Sequence, residues 1–143
     1  MSALQRPRFP ARRKPTSQQV TLYDLSLLQN DSKNNPAFIQ RMLTIFIESI
    51  PPIIVQMKVH LEKNEIDSIC SLAHKIKPTI DGAGIISLKE TIRNIENYRD
   101  KKRTRDQLTS DITRLEEVLH KVVESFRAEI EKLNLELRKQ DYS

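Results

Sequence analysis

The chain has 143 residues, 38% of them apolar, with 24 lysines and arginines against 19 aspartates and glutamates. That length suits one domain with a real core; the single cysteine, Cys70, excludes an internal disulfide framework, and no apolar run is read as reaching the ~20 residues of a membrane span. The formal net charge of +5 invites a nucleic-acid reading, but Arg6, Arg8, Arg12, Arg13 and Lys14 supply all of it, so the chain from residue 21 onward is formally neutral.

In chain order, residues 1–19 read as a disordered basic tail or linker, because a stretch with five cations and three prolines cannot bury apolar surface. The tail has no apolar h-region, so no secretory signal is expected, and the cysteine usage suits a reducing, cytoplasmic setting. A short extra helix is predicted from Leu22 to Leu28 with Thr21 as its cap, followed by a loop from Asn30 to Pro36. Asn35 then caps a long helix with Pro36 at its first position. Its apolar stripe is read as Phe38, Met42, Phe46, Ile50, Ile54, Met57 and Leu61. Pro51 and Pro52 fall inside it; the stripe stays in register across them, which favours a kink over two separate helices.

Asn64 to Asp67 reads as the capping signal of a further helix reaching about Ile80, where Gly82 and Gly84, the only glycines, provide a stop. Ser87 with Glu90 reads as a capping box opening a helix with Leu88, Ile92 and Ile95. The run Tyr98 to Asp106 reads as a charged turn. The last and longest helix carries Leu108, Ile112, Leu115, Leu119, Val122, Phe126, Ile130 and Leu133, with an end near Leu133 to Leu137 projecting beyond the bundle and residues 139–143 disordered. With no strand alternation, the expected fold is all-α: an antiparallel four-helix bundle over residues 20–138 with a short extra N-terminal helix.

The segment Ala73 to Gly84, AHKIKPTIDGAG, carries the chemistry. At about 100° per residue, Ile66, Ile69, Ala73, Ile76 and Ile80 make one core stripe, and His74 falls roughly 120° from its centre. His74 is therefore expected to face solvent, with Ser71 and Pro78 one turn away on either side, Lys77 at i+3 and Lys75 pointing further out. An exposed imidazole is mostly neutral near pH 7 and keeps one lone pair, which can attack a phosphoryl group already activated on a partner. Lys77 would neutralise the arriving charge. The sequence shows no Gly-rich phosphate cradle and no paired carboxylates for magnesium, so such a protein could hold a phosphoryl group but not take one from ATP.

The stretch AHKIKPTIDGAGIISLKETIRNIE resembles the active helix and following helix of histidine-phosphotransfer (HPt) domains, whose pattern is roughly A-H-x-L-K-G, then an apolar residue with Gly, then L…L-E. His74 matches the phosphoacceptor, Ile76 the apolar position, Lys77 the lysine, Gly84 the later glycine, and Leu88, Ile95 and Glu96 the next helix. The resemblance covers about residues 20 to 125. It departs at Pro78, where the family usually has Gly and where proline removes the N–H that would bond the carbonyl of His74, and at Gly82 and Ala83.

The resemblance implies a phosphorelay intermediate, not an enzyme. His74 would take a phosphoryl group from the aspartate of a receiver domain, in a response regulator or hybrid histidine kinase, and return it to another. Ser71, Lys75, Pro78 and Gly84 would support the site or its docking, and no cofactor is expected on this chain because the receiver would bring the magnesium and the aspartate. The folded body is not expected to bind nucleic acid or membrane. Two other readings stand beside it. One is a non-catalytic helical interaction or scaffold module pairing through Leu133, Leu135 and Leu137; the other is nucleic-acid binding by the basic tail. His60 and His120 read as ordinary polar-face residues, Cys70 as a small neighbour of His74 rather than a metal ligand, and Asp81 as a helix-end residue.

Overall fold

Asn35 does what its position before a proline predicts: its side-chain oxygen accepts hydrogen bonds from the amides of Ala37 (3.0 Å) and Phe38 (3.3 Å), and Pro36, needing no partner for a missing N–H, opens helix α1 (Pro36–Glu62). The computed structural model describes residues 22–26, 29, 30, 33 and 35–142, with side chains through Lys139. After α1 come α2 (Ile66–Gly82), a 3-10 turn (Ile86–Leu88), α3 (Lys89–Glu96) and α4 (Arg105–Tyr142). No strand occurs among the described residues. Helix α1 packs against α2 and α4, and α3 against α2 and α4. Short connections make successive helices antiparallel, and the result is the all-α four-helix bundle expected from the sequence.

The core-facing side of α1 is Ile39, Leu43, Phe46, Ile50, Ile53, Ile54 and Met57. The stripe read from sequence is therefore right from Phe46 to Met57 and wrong before it, because Phe38 and Met42 are 42% and 37% exposed. Each i+4 step overshoots a helical turn by about 40°, so four such steps from Ile54 back to Phe38 rotate roughly 160° around the axis. Helix α1 runs unbroken through Pro51 and Pro52. The carbonyls four residues earlier, on half-buried Ile47 and exposed Glu48, lose their helical donors where solvent can replace them. By length and composition alone α1 could cross a membrane; in the bundle its apolar side forms the core.

The helix ends are set by the left-handed residues that follow them. After α1, Asn64 has φ 60°; the Glu65 amide bonds the His60 carbonyl (2.8 Å) and the Asn64 amide that of Leu61 (3.0 Å). Asn64 thus ends α1 and does not begin α2, whose N-cap, Glu65, makes no side-chain capping bond. The same pair of bonds closes α2, from Ile85 to Ile80 (3.3 Å) and from Gly84 to Asp81 (3.0 Å), with Gly84 at φ 65°. Gly84 has a second constraint. A Cβ there would lie 2.3 Å from the Asp24 carbonyl oxygen, because the Asp24 amide bonds the Ala83 carbonyl (3.1 Å). Gly82 has open space around it.

Asp24 also accepts from the Ser26 amide (2.9 Å). Of the helix expected from Leu22 to Leu28, Leu22–Leu25 are not helical, whereas Ser26 is. The predicted cap Thr21, the residues Leu27 and Leu28, and the tail over residues 1–19 lie outside the described residues. Tyr23 packs edge-on against Phe126, which meets Phe46 in the same way on another side, with ring centroids 4.9 Å apart in both pairs.

The Ser87–Glu90 capping box does not form. The chain turns from Gly84 directly into the 3-10 turn, which absorbs Ser87, and α3 starts behind Leu88 with no side-chain cap. A capping box exists instead at the start of α4: the Gln107 amide donates to Thr104 Oγ1 (3.1 Å) and the Thr104 amide to Gln107 Oε1 (2.9 Å). Helix α4 continues through Tyr142, where a disordered end at 139–143 was expected; Leu, Arg, Lys and Gln there are good helix formers with no Gly or Pro to stop them. Of the end expected to project from Leu133 to Leu137, Leu133 is buried and Gln40 on α1 hydrogen-bonds Asn134, while Leu135 is 54% exposed.

Two stability predictions follow from these termini. Gly84→Ala is expected to cost at least ~1 kcal/mol from the left-handed backbone alone, and more if Asp24 cannot shift; urea unfolding measures it. Thr104→Ala is expected to cost about 1 kcal/mol through the lost cap, read by the same method.

Candidate functional site

Ile66, Ile69, Ala73, Ile76 and Ile80 are all buried, so the core side of α2 is the one the sequence periodicity gives. His74 is turned outward, with its side chain 73% exposed. Across the seam, Ile92 and Ile95 anchor α3 in the core, and the next residue, Glu96, faces α2. Its two carboxylate oxygens are divided: one is hydrogen-bonded to Nδ1 of His74, and the other accepts from Nζ of Lys77 at 2.7 Å. Glu96 is only 14% exposed.

These contacts favour one protonation pattern at the site. The bond from Lys77, and after it the bond from His74, hold the Glu96 carboxyl below its ordinary range. An ionised carboxylate only accepts hydrogen bonds, so Nδ1 of His74 must carry the proton. The lone pair of the neutral ring then sits on Nε2, which has no protein partner among the described residues. The ring is aimed by one nitrogen and open at the other.

One turn further along the seam, Arg93 holds Asp81 through both terminal guanidinium nitrogens, at 2.6 and 3.2 Å, which lowers the Asp81 carboxyl below its ordinary range. Asp81 is therefore a tie between α2 and α3. Ser71, Lys75 and Pro78 are exposed. Pro78 lies inside an unbroken α2, so it does not end the helix, and it leaves the His74 carbonyl without the usual amide donor. Lys75, Pro78 and Thr79 line one wall of a groove of about 470 Å³ between α2 and α1, with Met42, Ile45 and Ser49 opposite. The exposed positions of Met42 and Ile45 (46%) make that groove apolar.

Three sequence expectations change here. The Lys77 ammonium was expected to meet a group on the ring; it is bonded to Glu96 instead. Gly84 is a fold residue, pressed on Asp24, and not part of the exposed face. Glu96 was read only as a matching position on the next helix, yet among the described residues it is the one that bonds the His74 ring. Cys70 is half-buried, and burial pushes its thiol up, while the His74 ring faces Glu96, so no thiol–imidazole dyad forms. His60 bonds Glu65 at 2.7 Å near the α1–α2 connection. Among the described residues no three His, Cys, Asp or Glu side chains converge to hold a metal ion.

The fold and site together define a helical module that presents, on the outer face of α2, a largely exposed imidazole held at Nδ1 by Glu96. Residues 41–129, more than half of the chain and reaching from α1 into α4, match the Hpt domain family model, and the chain belongs to that family. Hpt domains are phosphocarrier modules that generally interact with receiver domains. Comparison with curated proteins and with solved structures gives no match.

The depressed carboxyl of Glu96 carries a pH dependence of known sign. Its pairing stabilises the fold above the ordinary Glu value of 4.5 and is lost as the pH falls through the lower folded-state value. Glu96→Gln is expected to flatten the acid limb of the stability profile, measured as urea midpoints at neutral and acidic pH.

Proposed function

We propose that this chain is a phosphorelay intermediate whose phosphoacceptor is Nε2 of His74. The observation that carries the reading is the solvent-facing imidazole whose Nδ1 is engaged by Glu96. In the step envisaged, the Nε2 lone pair attacks the phosphorus of a receiver aspartyl phosphate. An N–P bond forms, the P–O bond breaks, and the aspartate leaves as its carboxylate. The step runs backwards onto a second receiver. The receiver brings magnesium and the aspartate; this chain brings the imidazole and its setting, so it is a stoichiometric carrier and not an enzyme.

The apolar groove lined by Met42, Ile45, Lys75 and Pro78 borders the turn that bears His74, and it offers a receiver domain a surface to lie on while its aspartate reaches the ring. Response regulators and hybrid histidine kinases of the cytoplasm are the partners this reading calls for. The scaffold reading has less to stand on, since Leu133, one of its three pairing residues, is buried.

The test is incubation with a phosphorylated receiver, following acid-labile, base-stable label on this chain. His74→Gln is expected to abolish labelling while helical content by circular dichroism is unchanged. Label persisting on that variant would refute the assignment.

A further inference from the structure

We infer that Glu96, anchored by Lys77, keeps the proton on Nδ1 of His74 after phosphorylation as well as before it, so that the phosphorylated ring stays cationic and the phosphoryl group stays easy to pass on. The inference rests on His74 being the phosphoacceptor, and it assigns Glu96 as a positioning residue with a charge-dependent role.

The argument starts from the divided carboxylate. One oxygen meets Nδ1 and the other meets the Lys77 ammonium, and the group is largely enclosed by the seam between α2 and α3. Rotating it away from the ring would sacrifice both bonds. When Nε2 attacks phosphorus, the ring gains a bond but loses no proton, so it becomes formally cationic. In open water a phosphorylated imidazole readily sheds the other N–H near neutral pH. Here that N–H points at an ionised carboxylate, and a charge-assisted bond of this kind resists its loss.

The consequence lies in the next transfer. When the P–N bond breaks, its electron pair returns to Nε2. With Nδ1 protonated the departing group is neutral imidazole; without that proton it is imidazolate, a far poorer leaving group. Glu96 thereby makes the phosphoryl linkage reversible. Lys77 contributes through the carboxylate that it holds, and not by contact with the phosphoryl oxygens. Of the other charges along the seam, Arg93 and Asp81 are bonded to each other and Arg99 to Asp67, Lys89 lies beside Asp81, and Lys75 lines the groove on the α1 side.

The test needs no receiver. His74 is phosphorylated chemically with phosphoramidate, and ring protonation is read by nitrogen-15 NMR on histidine-labelled protein, with resonances assigned by their loss in His74→Gln. In the native chain the proton is expected on Nδ1 before and after phosphorylation. Glu96→Gln still offers an oxygen to Nδ1 but no charge. It is expected to keep the Nδ1–H tautomer in the free ring, to lose that proton once phosphorylated, and to lengthen the phosphohistidine lifetime about tenfold, the difference between a charged and a neutral hydrogen-bond partner. Glu96→Ala is expected to lose the tautomer preference too. A native ring protonated on Nε2, or a Glu96→Gln phosphohistidine as short-lived as the native one, overturns the inference. Failure of receivers to label the chain counts against the relay reading alone, because phosphoramidate needs no protein donor.

Discussion

Ile69 and Ala73 have no exposed surface and Ile76 almost none, and this burial fixes the rotation of α2 about its own axis. Turning the helix by one residue would drive His74 toward the core and bring an isoleucine out, at roughly 1.5–3 kcal/mol for each large apolar side chain exposed. The imidazole is outward because its neighbours cannot be. Every property of the site, from the open Nε2 to the reach of Lys77, depends on that rotation.

The polar contacts along the α2–α3 seam act on a smaller scale. A partly exposed pair such as Arg93–Asp81 contributes about 0.2–1 kcal/mol, too little to decide the fold against a core of this size. What they provide is direction. Glu96 turns one ring nitrogen inward, and Arg93 and Asp81 join the two helices one turn along, so α3, only eight residues long, is held in register with α2. The apolar core places the residues, and the charged seam decides which atom of His74 meets the outside.

Much of this was legible in the sequence, and the parts that were not were hidden for separate physical reasons. Patterns confined to one helix read correctly: the Asn35–Pro36 start, the buried side of α2, the exposure of His74 and the family resemblance. Phe38 and Met42 misled because i+4 spacing drifts around a helix. Asn64 and Ser87 carry residue types that suit several positions at a helix end, and only the hydrogen bonds show which one each occupies. The Thr104–Gln107 box was hidden within a charged run. Glu96 was out of reach for a different reason, since its meeting with His74 depends on the register between two helices, and no periodicity within either one encodes it.

The aromatic contacts at the N-terminal segment have a practical side. The chain has no tryptophan and three tyrosines, so its intrinsic emission comes from tyrosine alone. Tyr23 lies edge-on to Phe126 where the N-terminal segment meets the bundle, and Tyr98 sits half-buried just after α3. Tyrosine emission therefore reports in part on the place where the leading segment meets the bundle, and a melting curve recorded that way is sensitive to the detachment of that segment as well as to the collapse of the helices beneath it.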